Sequence, residues 1–144
     1  MSTYMTRGWR LLKGLKNDGI DAGFAKHLRD LARPAQIAYA RIMSKHNADP
    51  SGVEFRDHDG KERWAFVLPD VSGAGARIQF FDPRGFSGHE CYSTLTEAVQ
   101  EMVRQGYRTE DPGVLDKIST TPAWIEGMAW MDRVFRASSA RAAA

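Results

Sequence analysis

The chain has 144 residues, which is the size of one domain. Its 20 Lys and Arg against 18 Asp and Glu leave a formal charge of +2, which argues against an acidic nucleic-acid mimic over the whole surface and against a strongly cationic coat protein. A hydrophobic share of 42% excludes wholesale disorder, the single cysteine, Cys91, excludes an intrachain disulfide or multi-thiolate zinc site, and no apolar run approaches the ~20 residues that span a bilayer.

The charge is unevenly placed. Residues 1–48 carry Arg7, Arg10, Lys13, Lys16, Lys26, Arg29, Arg33, Arg41 and Lys45 against Asp18, Asp21 and Asp30, a local charge of +6, and residues 49–144 sum to −4.

This basic front reads as helix. Trp9, Leu12 and Leu15 recur with Leu11 beside them until Asn17-Asp18-Gly19 interrupts the pattern. Asp21 is a candidate N-cap for a second helix, with Phe24, Leu28 and Leu31 as its inward stripe. Arg33-Pro34 predicts a break, because the residue before proline avoids the helical region, and a third helix beginning near Pro34. Ala38 with Ile42 and Tyr39 with Met43 make i,i+4 pairs there.

Alternation then takes over. Val53 and Phe55 precede the turn Asp57-His58-Asp59-Gly60, and Trp64, Phe66 and Leu68 form the apolar parity of a second strand. A third strand is expected over 76–82, with Ile78 and Phe80 on one face and Phe81 on the other, and a fourth over 86–93. Thr94-Leu95-Thr96-Glu97 is a capping box, and Gly106 suits the far end of that helix. A short helix fits 111–119. Thr121-Pro122 opens the last helix, whose stripe runs Trp124, Met128, Met131 and Phe135, widened by Trp130 and Val134. The expected fold is α+β in a single domain: a helical front over 1–48, an antiparallel sheet of three to four strands over 49–93, helices over 94–138, and a fraying tail over 139–144.

Several groupings bear on function. Arg7, Arg10, Lys13 and Lys16 stand at three-residue spacing, and Lys26, Arg29 and Arg33 repeat the arrangement. Such faces neutralise phosphates, meet an acidic protein, or simply face solvent. A membrane surface is a further reading, since residues 1–17 hold no acid. Alternation puts His89 and Cys91 on one strand face, where they could pair as thiolate and imidazole, or share a metal with His58 and Asp59. The plainer reading of Cys91 is a small buried apolar side chain. His27 and His46 have no evident partner. The carboxylates Glu110-Asp111 and Asp57 with Asp59 sit in turn chemistry, where they bond their own backbone. Among the aromatics, Trp64, Phe66 and Phe80 read as core, Phe81 or Phe55 is left over to stack on a base, and either Trp124 or Trp130 is free for a partner. Phe86, between Gly85 and Gly88, is a candidate interface anchor.

Residues 77–128 contain F-D-x-R-G-F-S-G-H-E from Phe81, G-Y-R-T from Gly106, G-x-L-D from Gly113 and T-P-A-W-x-x-G-M from Thr121. This stretch, about a third of the chain, resembles small accessory domains of proteobacterial plasmids and integrative conjugative elements, some of them modules of large polyvalent mobile-element proteins. The resemblance carries no catalytic residue. It implies a binding protein aimed at host machinery, of the anti-CRISPR or other anti-defence kind.

The expected function is therefore a non-enzymatic, cytoplasmic inhibitor of a host nucleic-acid-handling complex, acting on a protein or ribonucleoprotein surface without cofactor, metal or membrane. Its candidate contact residues are the seven cations of the two ladders, Phe86, and an acidic phosphate-like track of Glu54, Asp57, Asp59 and Glu62, or of Glu97, Glu101, Glu110 and Asp111. The alternatives are an accessory DNA-binding protein using the basic helices, and a small enzyme built on His89 and Cys91.

Overall fold

Large apolar residues occupy both parities of the central strands, so the sheet they form has two faces that avoid water. The computed structural model describes residues 4–15 and 21–143, and in it both faces are covered. The strands are β1 (Phe55–Asp57), β2 (Trp64–Pro69), β3 (Ala76–Asp82), β4 (Gly85–Tyr92) and β5 (Tyr107–Glu110). They form one antiparallel sheet in the order β4-β3-β2-β1-β5.

The α+β class and the flanking helices are as expected, but the sheet has five strands where three to four were expected. The added strand is β5, only four residues long, which returns to the sheet after a helix and pairs with β1, Phe55 opposite Glu110. So short a run offers too little alternation to be read locally. Its place is fixed by the partner strand.

The helices are α1 (Arg7–Gly14), α2 (Ala22–Lys45), α3 (Leu95–Arg104), α4 (Val114–Ile118) and α5 (Pro122–Ala143). Thr6 caps α1 by accepting from the Trp9 N–H, and Thr94 caps α3 by accepting from Glu97. One sheet face carries Ala65, Val67 and Ile78 against Ala38, Tyr39, Ile42 and Met43 of α2 and Val99, Met102 and Val103 of α3. The other carries Trp64 and Phe81 against Val114 of α4 and Trp124 of α5.

Five expectations change. The predicted break at Pro34 does not occur, and α2 runs through it. An interior proline costs about 3 kcal/mol. Burial of the four apolar residues beyond it offsets that cost, as does Gln36, whose amide donates to the Tyr4 carbonyl and accepts from the Thr6 N–H. The inward stripe of α2 is not Phe24, Leu28 and Leu31. Phe24 and Leu31 are more than half exposed, and Ala25, Gln36 and Tyr39 face in. Phe55 and Phe81, left over in the sequence reading, are both fully buried. The inward face of β2 is not Trp64, Phe66 and Leu68 alone, because Ala65 and Val67 are fully buried on the opposite side. Only the first turns of α5 dock. Trp130, Val134 and Phe135 are exposed, and the helix continues through the expected tail to Ala143. No helix among the described residues is long and apolar enough to cross a membrane.

The docking of α5 explains much of the 77–128 pattern. Trp124 stacks edge-on against Phe81 and Phe86, with centroids 6.4 and 5.1 Å away. Gly127 lies directly on the Arg84 carbonyl, and Met128 covers Gly85, whose φ of +134° suits glycine. Alanine in a helix interior ordinarily gains ~1 kcal/mol over glycine. At Gly127 a Cβ would overlap the backbone of the β3–β4 turn. Gly127→Ala is therefore expected to lower stability by ~1–3 kcal/mol in urea unfolding, and Gly8→Ala, with open space around it, to raise it. A Gly127→Ala protein as stable as wild type would contradict this packing.

Candidate functional site

The two basic ladders meet because α1 packs along α2. Lys13 of α1 and Arg29 and Arg33 of α2 line one hollow of about 390 Å³ beside Trp9. The Lys13 ammonium lies 5.8 Å from the Trp9 ring centroid, and Arg29 donates to the Leu12 carbonyl at 3.4 Å. Arg7 and Arg10 are exposed on the same helix. Lys26 bonds Asp30 at 2.7 Å, and Arg33 stands 3.6 Å from the same carboxylate. The hydrogen bond from Lys26 holds Asp30 below the usual aspartate value. Lys16 lies outside the described residues.

This surface is not purely cationic. Leu11, Phe24, Leu31 and Ile37, all more than half exposed, lie on the same two helices. The sequence reading turned Phe24 and Leu31 inward. Leu28 belongs to both readings; the stripe Ala25, Leu28, Ala32, Gln36 and Tyr39 has the same helical spacing with small alanines in its first turns, and helix packing selects it.

The acidic residues are arranged differently. Glu54 accepts from the Gly113 and Leu115 N–H groups and anchors the start of α4. Asp57, 2% exposed, accepts from Arg63 and from the Asp59 N–H. Asp111 accepts from the Trp64 indole at 2.8 Å. Glu110 is held by Lys45 and His46, and Glu101 by Arg104. Burial pushes Glu110 up, but the Lys45 and His46 hydrogen bonds outweigh it and hold its pKa below the usual range. Glu62, Asp59 and Glu97 are the exposed members of the two candidate tracks, so neither forms a continuous acidic face.

The remaining candidates separate. Cys91 is exposed, which corrects its reading as a buried apolar residue, and it shares the open edge strand β4 with exposed His89. Phe86 is not a free anchor, because its ring is half-buried on Trp124 and Phe81. Of the two tryptophans, Trp124 is buried and Trp130 is exposed. Asp57, His58 and Asp59 bring three ligand atoms within 4.8 Å of one another. The Arg63 guanidinium already occupies the buried carboxylate among them, and a cation there would have to displace it.

No protein-family model, curated protein or solved structure matches this chain.

The buried Asp57 makes a pH prediction. Burial raises its pKa, but the Asp59 N–H and the Arg63 guanidinium outweigh that and hold it below its ordinary value of 3.8. A depressed folded value means the stabilisation is complete well above 3.8 and is lost as pH falls through the lower folded value. Asp57→Asn is expected to cost about 1–3 kcal/mol at neutral pH and to flatten the acid limb of a stability–pH curve. An unchanged acid limb would show that Asp57 does not carry it.

Proposed function

We propose that this chain is a non-enzymatic binding protein that inhibits a host nucleic-acid-handling complex, of the anti-defence kind, and that it docks through the α1–α2 face. The compartment this implies is the cytoplasm, and the partner is a protein or ribonucleoprotein surface that presents acidic groups.

The observation that carries the reading is the mixture on these two helices. Exposed Leu11, Leu31 and Ile37 lie on the same helices as Arg7, Arg10, Lys13, Arg29 and Arg33, and Ile37 stands one turn from Arg33 on the same row of α2. Arginine beside desolvatable apolar side chains suits a protein interface, where apolar contacts supply affinity and charge speeds encounter. A bare phosphate track has little use for exposed leucines. The engagement of Glu54, Asp57, Glu101, Glu110 and Asp111 in internal bonds supports the basic face over the acidic one. The similarity of residues 77–128 to mobile-element accessory domains supplies the host context. The hollow of Lys13, Arg29 and Arg33 favours a second reading, an accessory DNA-binding protein using the same helices.

One experiment separates the two. The tagged chain and its Arg7→Glu/Arg10→Glu/Lys13→Glu variant are used in parallel to capture partners from a proteobacterial lysate, and both are titrated with duplex DNA at low salt. The expected result is a nucleic-acid-handling subunit retained by wild type, reduced at least tenfold by the variant, with weak binding to bare duplex. Tight duplex binding with a steep salt slope and no protein partner would favour the second reading. The same proteins retained by both forms would remove the α1–α2 face from the account.

A further inference from the structure

On the flank of α2 that faces β5, the fold assembles a cationic cleft that takes only Arg33 from the two ladders. Its volume is about 400 Å³, and Arg33, Arg41, Arg108 and His58 line it, with Pro34, Ile37 and Thr109 among its walls. Arg33, Ile37 and Arg41 stand at i, i+4 and i+8, one row of a helix face about 12 Å long. Arg108 comes from β5, the strand that local alternation does not reveal.

The donors of these arginines are largely uncommitted. Among the described residues Arg41 makes neither hydrogen bond nor ion pair. Arg108 uses its Nε on the Val103 carbonyl at 2.9 Å, which fixes the plane of the guanidinium and leaves both terminal nitrogens. Arg33 has only the 3.6 Å contact to Asp30. Burial holds Arg108 somewhat below the usual arginine value, with Asp59 and Asp57 pulling the other way, and it stays protonated at neutral pH. The opposing charge in the cleft wall is Asp30, which Lys26 already engages.

We propose that this cleft binds a phosphate group, with Arg41 and Arg108 as the two forks that hold it. Planar guanidinium groups match phosphate oxygens bidentately, and a half-buried, pre-oriented Arg108 loses little freedom when it binds. The phosphate belongs either to a small phosphorylated molecule or to a nucleic-acid backbone. The site goes beyond the docking reading above: it shares Arg33 and Ile37 with that face, but its two forks, Arg41 and Arg108, lie outside it, and Arg7 and Arg10 take no part.

The test is calorimetric titration of the full chain at low salt with two probes, inorganic pyrophosphate and a single-stranded oligonucleotide of about 12 nucleotides. Arg41→Ala removes no hydrogen bond or ion pair among the described residues, and a thermal melt alongside it separates a loss of binding from a loss of fold. The substitution is expected to weaken binding at least tenfold, with Arg41→Lys retaining part, and Asp30→Asn is expected to tighten it. Arg108→Lys should weaken binding while a thermal melt confirms the fold. Arg7→Glu/Arg10→Glu should leave pyrophosphate binding unchanged, which keeps failure here distinct from failure of the docking face. Binding of pyrophosphate lost in Arg41→Ala assigns a small phosphorylated ligand, and the same loss with the oligonucleotide alone assigns a backbone phosphate. No binding of either probe, or equal binding by wild type and Arg41→Ala, overturns the proposal.

Discussion

Both faces of the central sheet are apolar, with Val67 and Ile78 on one side and Phe81 and Trp64 on the other, and the need to cover both organises the chain. Each buried residue of this kind is worth about 1.5–3 kcal/mol relative to exposure, so an open face would forfeit much of a domain's net stability. The chain meets the requirement by bracketing the strands with helices. α2 and α3 take one face, and α4 with the first turns of α5 takes the other.

That arrangement determines where the charges end up. The acidic residues are concentrated in the strands and their connections, where backbone N–H groups and cations are already close. Glu54 anchors the start of α4, Asp57 closes the β1–β2 turn with Arg63, Asp111 satisfies the buried Trp64 indole, and Glu110 ties β5 to the end of α2. The basic residues lie on α1 and the outer flanks of α2, where solvent is the ordinary neighbour. Because these acids are engaged within the fold, the formal −4 of residues 49–144 overstates the free negative charge they present.

The periodic parts of this architecture are legible in the sequence, and the parts set by distant partners are not. β3 over 76–82, with Ile78 and Phe81 on opposite faces, follows from alternation alone, and the Thr94 cap follows from residue type. β5 does not follow, because four residues become a strand only when β1 lies beside them. The continuity of α2 through Pro34 depends on a clamp to Thr6 and Tyr4, some thirty residues away in sequence. The basic ladder is visible as spacing. The engagement of Glu54 and Asp111 is not, since their donors come from residues 113, 115 and 64. The Arg33, Ile37, Arg41 row does not follow either, because the expected break at Pro34 divides it, and Arg108 joins it only through β5.

The central claim is that the acidic side chains are mostly engaged within the fold and the basic helices form the available charged surface. Backbone amide shift mapping with a short heparin fragment at low salt tests it most directly. The account predicts that the perturbed amides fall in residues 7–13 and 29–41 and at Arg108, while those of the β1–β2 hairpin and of α5 stay in place. Perturbations centred on the β1–β2 hairpin or on α5, or spread evenly over the molecule, would contradict it.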